Sequence, residues 1–207
     1  MAMHNLFPTP VGIYQLSRDL TAKELSFFKN QETRPNMGNT TSVDNTILKN
    51  KELTQLREFF ETSVADYFTT VYNPKHQVNL RITQSWTNYT DKGQFHHKHA
   101  HPNSFVSGVF YIQTDASKDR IYFYRDAYEQ IKFPPKEWNV WNSESWWFEA
   151  KAGQLILFPS SLTHMVPSVE SEQTRISLSF NTFPVGSIGD ELSLTGLNLE
   201  ESHGALR

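Results

Sequence analysis

Two periodicities divide the chain. Between Asn50 and Pro74 the residues Leu53, Leu56, Phe60, Val64, Tyr67, Phe68 and Val71 recur at helical spacing, with Lys51, Glu52, Arg57, Glu58, Glu61 and Asp66 behind them. One apolar stripe with a charged back predicts a helix bracing something flat. A shorter helix is predicted ahead of it. Leu20-Thr21-Ala22-Lys23-Glu24-Leu25 reads as a capping box with Thr21 at the N-cap and Glu24 at N3, Leu20 and Leu25 being placed for a hydrophobic staple. That helix runs to about Asn30. Before it, residues 6–16 contain two prolines at spacing two and read as an extended edge strand. Residues 31–46 are polar, with Pro, Gly, Asn and Thr, and read as a loop.

From residue 78 the texture changes to strands. Segments 78–89, 105–113, 121–124, 144–149, 154–158, 164–169 and 174–181 are rich in β-branched and aromatic residues, and turn signals separate them at 115–119, 151–153 and 170–172. Gly108 marks a close approach or bulge within the second. Many short strands with such turns predict a sandwich or barrel, and two helices ahead of them predict a jelly roll buttressed on one face. The expected organisation is a single domain over 1–207: an N-terminal strand and two helices to 77, a β core over 78–182, and a tail over 183–207 with an apolar patch at 192–199. Segment 126–142 is long, aromatic and strand-poor, and reads as a lid or an ordinary crossover.

Composition removes several function classes. The chain has no cysteine, so disulfides, thiolate metal sites and thiol nucleophiles are excluded, and His, Asp and Glu remain as metal ligands. A net charge of −3 with scattered basic residues offers no field for nucleic acid or an anionic membrane. No stretch approaches eighteen apolar residues, and the N-terminus has no basic n-region followed by an apolar core, so a soluble, unexported protein is expected.

Candidate chemistry sits in His96-His97-Lys98-His99-Ala100-His101-Pro102-Asn103-Ser104. Four of the eight histidines fall within these positions. Residues two apart on an extended segment project to one side, so His99 and His101 can bite one metal ion, with His164 as a third ligand. On segment 175–181, strict alternation sends Arg175, Ser177, Ser179 and Asn181 to one face and Ile176, Leu178 and Phe180 to the other. The polar face is either solvated or lines a barrel interior. In the second case a guanidinium and a hydroxyl two residues away suit a carboxylate.

His99-Ala100-His101-Pro102-Asn103-Ser104, then Ser107-Gly108-Val109-Phe110-Tyr111, then Phe158-Pro159-Ser160 leading to His164, and finally Arg175-Ile176-Ser177 together resemble the iron(II)/2-oxoglutarate-dependent oxygenases. The likeness is to the prolyl-4-hydroxylase-like branch and a group of its bacterial and phage members. It spans roughly residues 78–182, and Leu6-Phe7-Pro8-Thr9-Pro10-Val11 also looks like this group. The resemblance implies a mainly β, cupin-like double-stranded β-helix. It implies Fe(2+) on His99, His101 and His164, with 2-oxoglutarate held by Arg175 and Ser177 in a pocket lined by Tyr111 and Tyr89. Asn88 and Asn181 are polar neighbours for that pocket, while Trp86 reads as core. The wider superfamily carries a carboxylate where His101 stands, which leaves His97 as the alternative partner of the pair. His96 and His97 otherwise read as solvent-facing or as outer partners of the ligands.

The implied reaction is hydroxylation of a C–H bond in a peptide or small molecule, using O2 and releasing succinate and CO2, with ascorbate a candidate reductant. Prolyl hydroxylation of a protein is the first expectation by likeness. The implied compartment is the cytoplasm, or a host's cytoplasm for a phage protein; a homodimer is compatible with the sequence. Two other classes remain in view. One is a three-His cupin-like metalloenzyme without 2-oxoglutarate, which a solvent-exposed Arg175 would favour. The other is a non-enzymatic jelly-roll binding module that uses Trp138, Trp141, Trp146 and Trp147 as a stacking surface.

Overall fold

A computed structural model describes residues 1–125, 131 and 133–199. Both predicted helices form. α1 (Ala22–Lys29) starts at Thr21, whose hydroxyl accepts from the Glu24 amide while the Glu24 carboxylate accepts from the Thr21 amide. Arg18 grips the same carboxylate through both terminal nitrogens, at 2.8 and 2.6 Å. α2 (Thr54–Tyr72) follows two short 3-10 turns and ends on Asn73 in the left-handed conformation. No described helix is long and apolar enough to cross a membrane.

Among the described residues there are also twelve strands. In chain order they are β1 (Gly12–Gln15), β2 (Thr33–Pro35), β3 (Thr40–Ser42), β4 (Val78–Thr90), β5 (His96–His99), β6 (Val106–Gln113), β7 (Arg120–Tyr124), β8 (Ser145–Glu149), β9 (Gln154–Pro159), β10 (His164–Val166), β11 (Arg175–Ile188) and β12 (Leu197–Leu199). The larger sheet has the order β1-β9-β6-β11-β4-β3-β2, with β12 also on β11; the smaller has the order β5-β10-β7-β8. Every pairing between these strands is antiparallel. This is the expected jelly roll, a double-stranded β-helix, with its helices on one side.

The larger sheet is buried on both faces, so its central strands read as nearly continuous apolar runs. Val106, Phe110 and Ile112 of β6, Leu155 and Leu157 of β9, and Ile176, Leu178 and Phe180 of β11 meet Leu56, Phe60, Val64 and Tyr67 of α2. The alternate residues Val109, Tyr111, Ile156 and Phe158 face the smaller sheet, where they meet Ile121 and Phe123 of β7. Phe60 stacks on Phe180, with centroids 5.3 Å apart and planes at 22°. Gly108 makes room for that ring: a Cβ there would lie 2.3 Å from Phe180 Cζ.

Two local expectations fail. Residues 31–46 carry β2 and β3, which extend the large sheet beyond β4. Three-residue strands are too short to show alternation, and side-chain bonds to the neighbouring backbone reinforce them: Thr41 Oγ1 donates to Thr87 O, and Ser42 Oγ accepts from Thr87 N. The tail was expected to begin at 183, yet β11 continues to Ile188 and folds back onto β12. Pro184 and Gly186, which punctuate the sequence there, are accommodated within the strand, Gly186 at φ +114°. Residues 126–130 and 132 of the expected lid, and 200–207 of the tail, lie outside the described residues.

Candidate metal centre

β5 and β10 are neighbours in the smaller sheet, and their register sets His99 directly opposite His164. Their ring centroids are 4.4 Å apart. His101 lies two residues beyond the end of β5, with its Nε2 3.3 Å from His164 Nε2 and the two rings parallel within 1°. One nitrogen from each of His99, His101 and His164 falls within 4.8 Å of the others. Ligands bonded at roughly 2.1 Å to one ion stand about 3 Å apart, so little adjustment closes this trio on a metal.

The other ring nitrogens are already engaged. His99 Nδ1 lies 2.7 Å from His97 O and His164 Nδ1 lies 3.0 Å from Leu162 O. A proton on each Nδ1 satisfies these carbonyls and leaves both Nε2 lone pairs for an ion, the usual device that orients a metal-binding imidazole. Burial pushes His164 down to about 3 and His101 down to about 4, helped in both by the neighbouring His99. His96 is pushed down to about 3, by burial first and then by the other imidazoles and Arg175. The imidazoles therefore stay neutral where a free one takes up a proton, and neutral imidazole is the form that binds a cation.

A consequence for stability follows from the sign of these shifts. The unfolded chain binds protons at histidine as pH drops through about 6.5, whereas the fold resists them down to about 3 to 4. The metal-free protein is thus most stable above pH 6.5 and loses about 1.4 kcal/mol per pH unit for each imidazole held neutral below it. Urea unfolding at pH 7.5, 6 and 5 should show this decline; equal stability at pH 7.5 and 5 would contradict it.

Sequence reasoning missed the groups that fix the 101–104 turn. Ser107 Oγ and Ser160 Oγ are 2.8 Å apart, Ser160 Oγ donates to Ser104 Oγ at 2.7 Å, and His101 N donates to Ser160 O at 2.9 Å. Ser107 also donates to Asn181 Oδ1 at 3.0 Å, and the Asn181 side chain bonds His101. The available signal was a serine at an inward position of an apolar strand. Trp86, expected in the core, instead stacks on His101 at 5.8 Å and 29°. It sits opposite Ser179, on the inward face of β4.

The anion side lies on β11 and β6. Arg175 is 2% exposed, and its guanidinium stands 5.3 Å from the Tyr111 ring centre. It donates to Arg120 O at 3.2 Å, and among the described residues it forms no ion pair. Ser177 is buried on the same face, flanked in register by Tyr111 and Asn88. Arg175 Nε, the Tyr111 hydroxyl and Asn88 Oδ1 are buried without a hydrogen-bond partner. Orphaned buried polar atoms are costly, and a cation with donors beside it suits a carboxylate. Burial raises Tyr111 to about 12, partly offset by Arg175, so the phenol keeps its donor proton.

Tyr89 must be withdrawn from this pocket. It is opposite Ile176 in register, which turns it to the helix side, where its hydroxyl donates to Phe28 O at 2.5 Å. Its position ten residues before His99 suggested a likeness that strand parity overrules. Trp138, Trp141, Trp146 and Trp147 are exposed, the last two on the edge strand β8.

A jelly roll whose facing strands gather a His-rich cluster is the fold of a non-haem iron(II)/2-oxoglutarate-dependent oxygenase. Residues 84–181 match the family described as "Putative 2OG-Fe(II) oxygenase". Similar solved structures support the fold. A 2OG-Fe(II) oxygenase family oxidoreductase from Burkholderia pseudomallei is 15% identical, with 83% of this chain and 84% of that one covered and a TM-score of 0.56. A Pseudomonas putida prolyl-4-hydroxylase is 14% identical over 84% and 94%, at 0.55. HygX from Streptomyces hygroscopicus, with nickel, 2-oxoglutarate and hygromycin B bound, is 11% identical over 84% and 82%, at 0.55. No curated protein matches the sequence.

Proposed function

We propose that the protein is an Fe(II)- and 2-oxoglutarate-dependent dioxygenase that hydroxylates a C–H bond of a peptide or small molecule. His99, His101 and His164 hold the iron, and Arg175, Ser177 and Tyr111 hold the far carboxylate of 2-oxoglutarate. The supporting observation is the buried Arg175, without a carboxylate partner among the described residues, close enough to the histidine cluster to depress His96 and on the same strand as Asn181, whose side chain bonds His101. The bound iron supplies the coupling of two oxidations: O2, 2-oxoglutarate and R–H become succinate, CO2 and R–OH.

The chain's own tasks are positioning and exclusion of water. The carbonyls of His97 and Leu162 fix the tautomers of His99 and His164. The serine network and Trp86 hold His101 in place. Arg175 sits in a dry wall, where its charge acts with little screening, and Ser177 and Tyr111 add hydroxyl donors on the same face. A three-His enzyme indifferent to 2-oxoglutarate would have no use for that buried guanidinium.

Anaerobic addition of Fe(II) and 2-oxoglutarate should give a weak visible charge-transfer band, and air should then release succinate. Folded, iron-loaded protein that never develops the band would refute the proposal.

A further inference from the structure

The strand β5 contains an irregularity with a chemical result. Its pairing with β10 sets His99 against His164 but His96 against Val166, so three steps along β5 match two along β10. In a regular strand His96 and His99, three apart, would face opposite ways. The extra residue turns both to one face, as bulges commonly do beside functional sites. His96 consequently stacks on His99, with centroids 4.7 Å apart and planes at 23°. His97 closes the group, 4.6 Å from His99 and 5.3 Å from His96.

One nitrogen from each of His96, His97 and His99 lies within 4.8 Å of the others. His97 Nδ1 is buried and without a partner, unlike the Nδ1 atoms of His99 and His164, which are engaged by carbonyls. Lys98, the one cation within the run, leaves the group and lies over the Tyr124 ring at 3.9 Å. We propose that His96, His97 and His99 form a second metal seat, for a divalent ion of zinc, nickel or copper type, which shares His99 with the first. Since His99 Nδ1 is committed to His97 O, only its Nε2 is free, and the two seats exclude one another. An ion in the outer seat removes His99 from His101 and His164. Ions content with few imidazole ligands, zinc and copper(II) above all, should use it more readily than iron(II). The inference rests on the proposed function only through the inner trio's use of His99.

Zinc titration of the full chain, with bound ions counted after gel filtration, tests this. The unaltered protein should retain one zinc per chain, not two. His101→Ala disables only the inner seat and should still retain one zinc, with affinity within about a hundredfold of the original. A variant combining His96→Ala, His97→Ala and His101→Ala should retain none. Should His101→Ala bind no more tightly than the combined variant, or the unaltered protein bind two ions, the shared outer seat does not exist. If His101→Ala loses its circular-dichroism spectrum, His164→Gln disables the inner seat from another strand and is counted the same way. Unaltered protein that binds no metal would overturn the outer seat and the proposed function together.

Discussion

His164→Ala stops 2-oxoglutarate-dependent succinate release while leaving a folded protein that still captures zinc through His96, His97 and His99. His164 is 7% exposed and the most buried member of the inner trio, in contact with both His99 and His101. Changing an outer partner of a metal ligand typically costs about 10- to 100-fold in affinity or activity. Loss of a ligand itself should therefore lower turnover by more than about a hundredfold. Removing the ring also leaves a cavity beside Phe123 and Phe158, which pack against it at 6.1 and 4.8 Å. Part of the expected loss of thermal stability comes from that cavity, about 1 to 2 kcal/mol for a side chain of this size. Turnover by His164→Ala at a tenth of the normal rate or better would show that the metal is held elsewhere.

Arg175→Met separates binding from stability in the opposite direction. The guanidinium is almost fully buried and, among the described residues, makes one hydrogen bond to a carbonyl and has no carboxylate partner. Burying such a charge costs several kcal/mol, and an apolar replacement of similar volume is often neutral or stabilising. Against that stands one lost hydrogen bond, worth about 1 kcal/mol. The metal-free variant should unfold at the same urea concentration as the original protein or a higher one. Its affinity for 2-oxoglutarate should fall by about 3 kcal/mol or more, the usual result of truncating one side of a buried charge pair. Calorimetry with nickel in place of iron measures this without turnover. Unchanged 2-oxoglutarate affinity would remove Arg175 from the co-substrate site.

The jelly roll, both helices, the gathering of His99, His101 and His164 and the inward face of Arg175 were legible because each leaves a local signature. The capping box at Thr21, the stripe of α2 and the alternation of 175–181 are patterns of a few residues that the structure repeats. What escaped depended on register between distant strands. Tyr89 faces the helices because it stands against Ile176, eighty-seven positions on, and no local pattern fixes that parity. The inward turn of His96 likewise needs the mismatch with β10. Ser107, Ser160 and Ser104 became a linked chain of hydroxyls only once β6 and β9 were paired.

β11 has a further consequence for anyone altering this protein. It is a single ribbon of fourteen residues with two unlike surfaces, one seated on α2 and the other bearing Arg175, Ser177 and Asn181. Phe180, pressed against Phe60, is the immediate neighbour of the asparagine that steadies His101. Repacking the hydrophobic back of the ribbon would tilt the polar front with it. Durability and selectivity are geared together along that ribbon, and libraries aimed at either one should vary its two sides jointly.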